Sequence, residues 1–154
     1  MQAVTPVGVE ARWSAELSAI YELQRRHALR ISEVLRLSVG DLNDDQTIFV
    51  AASKGSADRT LDDAELWDAL DELTRGQTSG AIFTLSYSQV YRAYNRAGVD
   101  VRGPSESRRR VTHALRTLRI QELRDNGHSV EEIANEIGHK DPDSTRHYLE
   151  PDVT

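Results

Sequence analysis

The residues of this chain best suited to chemistry lie in its last third: His113 and Arg116, then His139, then Tyr148. On a helix, positions three apart share one face, so His113 and Arg116 can point a proton-sharing ring and a cation at one anion. Tyr148 supplies an oxygen nucleophile. Donors for a phosphate together with a hydroxyl that can attack it suggest phosphoryl transfer, where positioning and charge stabilisation do most of the work. Taken singly, each residue has an ordinary reading. A His-x-x-Arg pair is usually a solvated or salt-bridged face, His139 a capping or packing ring, and Tyr148 a core residue with a wet hydroxyl. The set as a whole favours a site.

The elements that must hold these residues follow from periodicity and local signals. Residues 1–10, with Pro6 and Gly8, read as a flexible lead. Trp13, Leu17, Ile20 and Tyr21 then recur at helical spacing, with Leu23 at the stripe's edge, through about His27. A second helix over Ile31–Leu37 turns Ile31, Val34 and Leu35 inward, with Arg30 at its start and Glu33 in its first turn. Gln46–Val50 has the β-branched and aromatic content of a strand, Ser53-Lys54-Gly55-Ser56 is turn-like, and Arg59-Thr60-Leu61 can return as an antiparallel partner with Lys54 near the tip. Asp62 or Asp63 caps an acidic helix carrying Leu66, Trp67, Leu70 and Leu73. Ser86 and Gln89 form a capping box for a helix through about Ala97, with Tyr87, Val90, Tyr91 and Tyr94 as its stripe.

Beyond a Gly-Pro loop, a helix from about Val111 to Asn126 turns Leu115, Leu118 and Leu123 inward and leaves His113 and Arg116 on a neighbouring edge. Gly127 ends it. Ser129 to Glu132 is a second capping box, opening a helix with Val130, Ile133 and Ile137 that stops at Gly138, and a short helix then holds Tyr148. The fold class expected is mainly α with a small antiparallel β-sheet.

Composition bounds the rest. A chain of 154 residues supports one core, and no apolar run approaches the length that crosses a bilayer. With no cysteine, disulfides and thiolate metal sites are excluded, and a reducing, cytoplasmic location is expected. Scattered histidines without a tight motif do not make a zinc site. A formal charge of −6 is unusual for a protein that grips a polyanion, but the charges are polarised. Acid gathers over Asp58–Glu72, while Arg102, Arg108, Arg109, Arg110, Arg116, Arg119 and Arg124 crowd the approach to the proposed site. Lys54 and Lys140 are the only lysines among 19 Lys+Arg. An acidic, arginine-for-lysine chain resembles proteins of salt-loving archaea, and a halophilic archaeon or its virus is the source this implies. At molar salt a Debye length of about 3 Å removes long-range repulsion between such a surface and DNA.

Arg30-Ile31-Ser32-Glu33, a lysine in a strand turn at Lys54, His113-x-x-Arg116, Gly138-His139-Lys140 and Tyr148 together resemble, in order and spacing, the catalytic domain of the tyrosine recombinases, or phage integrases. The resemblance covers Ala11 to Tyr148. It implies that Arg30 and Arg116 clamp the non-bridging oxygens of a scissile phosphate, which guanidinium forks suit. His139 adds a donor, Lys54 protonates the leaving 5′ oxygen, His113 assists proton transfer at the tyrosine, and Tyr148 attacks phosphorus to give a 3′-phosphotyrosyl link. Arg108, Arg109 and Arg110 would touch the DNA backbone. No cofactor or metal is called for. Glu33 pairs with an arginine or the backbone, and His27, His128 and His147 are bystanders.

The expected partner is double-stranded DNA, with protomers assembling as a tetramer on it and separating into monomers without it. Relatives carry an N-terminal helical domain and a C-terminal docking helix that residues 11–154 lack, so an excised domain, a minimal recombinase or a relic is expected, with weak DNA affinity. Two other functions compete. A non-catalytic helix-turn-helix regulator would use Ser129–Tyr148 to read a major groove, but leaves Arg30, Lys54, His113 and Arg116 unexplained. A type IB topoisomerase-like enzyme shares the nucleophile and the arginines but does not restrict itself to one sequence.

Overall fold

The computed structural model describes residues 7–52, 57–98 and 114–139. In chain order these form α1 (Val7–His27), α2 (Ile31–Leu35), a 3-10 turn (Val39–Asp41), β1 (Thr47–Val50), β2 (Arg59–Asp62), α3 (Ala64–Leu73), α4 (Tyr87–Ala97), α5 (Ala114–Asp125) and α6 (Val130–Ile137). The sheet is the expected antiparallel pair, with Thr47 opposite Asp62 and Val50 opposite Arg59. Among the described residues no helix is long and apolar enough to cross a membrane.

Local signals place the starts of α3, α4 and α6 where the sequence puts them. The Asp63 carboxylate accepts from the Leu66 N–H at 3.0 Å, and reciprocal capping boxes open α4 at Ser86 and Gln89 and α6 at Ser129 and Glu132. Gly127 and Gly138 take positive φ after α5 and α6, a conformation that costs glycine little. α1 is longer than its stripe suggests. It begins at Val7, inside the stretch read as a flexible lead, whereas α2 is shorter and closes with Arg36 as its C-cap.

The main core joins α1 to α4 and the sheet through Ile20, Leu23, Val34, Ile48, Val50, Leu61, Leu70, Ile82, Val90 and Tyr94, and Leu115 of α5 reaches it. A second cluster, Ala28, Ile120, Leu123, Ile133 and Ile137, seals α5 and α6 against the end of α1. Three faces depart from the pattern expected of them. Leu23 is fully buried, Trp13 is exposed, and in α5 Leu118 is exposed while Ile120 is buried. Polar groups fix the rest of α1. Buried Glu16 accepts from the backbone N–H and hydroxyl of Thr84 and from the Leu85 N–H, and buried Tyr94 donates its hydroxyl to Gln24 at 2.8 Å.

A buried arginine and histidine cluster

Three of the residues singled out from sequence meet at the seam between the two cores. Arg30 caps the start of α2 in extended conformation and is half-buried. Arg116, expected on an edge of α5, is instead entirely buried, and His139 is 6% exposed. Charge this deep persists only where it is paired and hydrogen-bonded. The Arg116 guanidinium donates through Nη1 to the carbonyl of Ala28 and through Nη2 to His139 Nε2, the latter at 2.7 Å. Nη1 also stands 3.8 Å from Glu33 Oε1.

Each partner is held by its own backbone. Ala28 ends α1 with φ of +57°, a left-handed turn that an alanine adopts at some cost, and the turn places its carbonyl where Arg116 donates. Glu33 is 2% exposed, and its Oε1 accepts from the Arg30 N–H at 2.8 Å. It thereby closes the first turn of α2 and faces the arginines, in keeping with the pairing role expected of it. His139 follows the left-handed Gly138, and its N–H donates to the Ala134 carbonyl at 2.8 Å.

The state of His139 follows from these contacts. A guanidinium has only donors, so Nε2 accepts and the neutral ring carries its proton on Nδ1. Burial, and then the charges of Arg116, Arg30 and Arg59, push the ring down to about 4. The third of those cations was not among the expected site residues. Arg59, at the start of β2, has an 8% exposed side chain with Nη2 at 3.9 Å from Glu33 Oε1. Sequence reading assigned it only to a strand. Arg-x-x-Glu beside a basic strand residue gives no signal of depth.

His27, read as a bystander, is a structural clip, its Nε2 lying 2.8 Å from an oxygen of the α3 cap Asp63. The remaining expected site residues, Lys54, His113, Tyr148, Arg108, Arg109 and Arg110, lie outside the described residues. Among the described residues, no three His, Asp or Glu side chains converge as a metal site would require.

The outward side of α6 bears on the helix-turn-helix alternative. Glu131, Glu132, Asn135 and Glu136 are exposed, whereas Ile133, Ala134 and Ile137 are buried. An acidic face is repelled by a phosphate-walled groove, and the helix delivers His139 to the arginines instead.

This fold is that of a known class. The model of the phage integrase family matches residues 9–154, and the chain belongs to that family. The structure is similar to the catalytic domain of bacteriophage HP1 integrase, with 20% identity and a TM-score of 0.65 over 91% of this chain and 84% of that one. It is also similar to XerA recombinase, with 19% identity, a TM-score of 0.66 and coverage of 99% of this chain and 62% of that one. A third similar structure is XerH site-specific recombinase bound to its palindromic difH substrate after cleavage, with 19% identity and a TM-score of 0.64. The chain covers 93% of its own length there and 44% of that protein's. No curated protein sequence matches the chain.

Proposed function

We propose that the chain is the catalytic domain of a site-specific recombinase that cleaves and rejoins double-stranded DNA. The observation that carries this reading is buried Arg116, held between the Glu33 carboxylate and His139 and close to Arg30, in a chain of the phage integrase family. Guanidinium forks match the non-bridging oxygens of a phosphodiester. Fixed in place beforehand, they stabilise the charge that grows on phosphorus in the transition state without reorganising.

In the reaction, the Tyr148 oxygen attacks phosphorus and the bond from phosphorus to the 5′ oxygen breaks. The tyrosine proton passes toward His113, and the leaving 5′ oxygen takes a proton from Lys54. The product is a 3′-phosphotyrosyl ester and a free 5′-hydroxyl. A 5′-hydroxyl from another strand attacks that ester in the reverse sense and releases the tyrosine. His139 serves as a neutral donor through its Nδ1–H. Arg108, Arg109 and Arg110 hold the DNA backbone, and four protomers assemble on the paired sites. Action on a mobile element in a salt-rich cytoplasm accords with the acidic, lysine-poor composition.

The test is a denaturing gel of the wild-type chain beside Tyr148→Phe after incubation with nicked duplexes from its own genomic neighbourhood, from low to molar salt. A protein–DNA adduct in the wild type alone supports the reading. Cleavage at one sequence separates a recombinase from a topoisomerase-like enzyme, and an adduct formed equally by Tyr148→Phe rejects the tyrosine nucleophile.

A further inference from the structure

Arg59 lies outside the motif that singles out Arg30 and Arg116, yet its surroundings differ from those of a surface arginine. Its Nη1 donates to the Glu136 carbonyl at 3.2 Å, at the carboxyl end of α6, and its Nη2 stands 3.9 Å from Glu33 Oε1. The same carboxylate oxygen is 3.8 Å from Arg116. Nε and Nη2 of Arg59 make no hydrogen bond among the described residues. Burial pushes the guanidinium down to about 10, against the pull of Glu33, with Arg116 and Arg30 adding to the downward push.

The stem of Arg59 also occupies the space that a side chain at residue 138 would need. A β-carbon on Gly138 would lie 3.0 Å from Arg59 Cδ and 3.3 Å from its Nε. Beside it, the Ala57 N–H donates to the Gly138 carbonyl at 2.7 Å. The approach to β2 and the glycine–histidine turn are therefore locked together through one guanidinium and one backbone bond. The guanidiniums of Arg59 and Arg116 both face Glu33 Oε1, at 3.9 and 3.8 Å, and the charge of Arg30 is felt at Arg59 and His139.

We propose that Arg59 is a positioning residue of the phosphate site, holding the Gly138–His139 turn against β2 and adding a positive charge beside Arg30 and Arg116. That the cluster receives a DNA phosphate rests on the recombinase reading; the contacts of Arg59 with Glu136 and Gly138 do not.

The experiment uses the isotope-labelled full chain titrated with inorganic phosphate and followed by the Nε–H resonances of its arginines. In the wild type, the Arg59 resonance shifts together with those of Arg30 and Arg116. Arg59→Gln weakens phosphate binding by about tenfold, and Arg59→Lys, which keeps the charge, recovers most of it. An Arg59 resonance that phosphate leaves unmoved overturns the proposal, and so does a folded Arg59→Gln chain with unchanged phosphate affinity. Should Arg59→Gln not fold, the wild-type resonance decides. Adduct formation on nicked DNA separates this inference from the functional reading. An unchanged cleavage rate in Arg59→Gln removes the inference and keeps the recombinase. Phosphate binding that tracks Arg59 in a chain forming no adduct keeps the inference and removes the recombinase.

Discussion

Replacing His139 by glutamine tests the electrostatics of the cluster. The ring is 6% exposed, accepts from Arg116 at 2.7 Å, and is pushed down to about 4 by burial and then by Arg116, Arg30 and Arg59. An unfolded histidine titrates near 6.5, so the folded value is the lower of the two. The unfolded chain then binds the proton first, and stability that is fully present above about pH 6.5 is lost progressively as the pH falls toward 4. Between pH 7 and pH 5 the linkage comes to about 2 kcal/mol for this one ring.

Glutamine keeps an oxygen that can accept from Arg116 but has no proton to gain. His27 is also held below its ordinary value, by burial that outweighs its hydrogen bond to Asp63. Its contribution has the same sign in both proteins and cancels in the difference. Urea unfolding at pH 7, 6 and 5 should show the wild type losing about 2 kcal/mol more than His139→Gln. Parallel losses in the two proteins would refute the argument, because His139 would then be solvated or already charged in the folded state.

Three further outcomes are expected. Glu33→Ala leaves Arg116 and Arg59 without the carboxylate they face at 3.8 and 3.9 Å, and removing one partner of such a buried set costs about 3–5 kcal/mol, read as a lower denaturation midpoint. Tyr94→Phe removes the buried hydroxyl bonded to Gln24 at 2.8 Å; a loss of about 1 kcal/mol in urea unfolding is expected, with activity on DNA retained. The charge of −6 with almost no lysine predicts a melting temperature that rises from low to molar KCl, and equal melting across the series would contradict the halophilic reading.

Much of the fold was legible because its signals are local. Ser86 with Gln89, Ser129 with Glu132, Asp63 before α3, and the glycines at 127 and 138 each act through groups within a turn of themselves, and the structure places all of them as expected. The convergence of Arg30, Arg116 and His139 was legible as a spaced motif. Depth was not. Arg116 is buried because the Ala28 carbonyl and the Glu33 carboxylate receive it, and nothing about an alanine announces the left-handed backbone that aims that carbonyl. Arg59 read as a strand residue because pairing with Val50 is a property of its backbone, whereas its side chain's role is set by α6, far away in sequence. On α5 the choice of Ile120 over Leu118 for the interior follows from the second core beneath α6, which helical spacing alone does not reveal.

The central claim is that a tyrosine of this chain becomes joined to DNA through phosphorus. Its most direct test is mass spectrometry of the protease-digested adduct formed on a nicked duplex. The account predicts a nucleotide attached through a 3′ phosphate to the peptide containing Tyr148, absent from Tyr148→Phe and from Arg116→Ala. Attachment at another residue, or an adduct that survives in Tyr148→Phe, would contradict it.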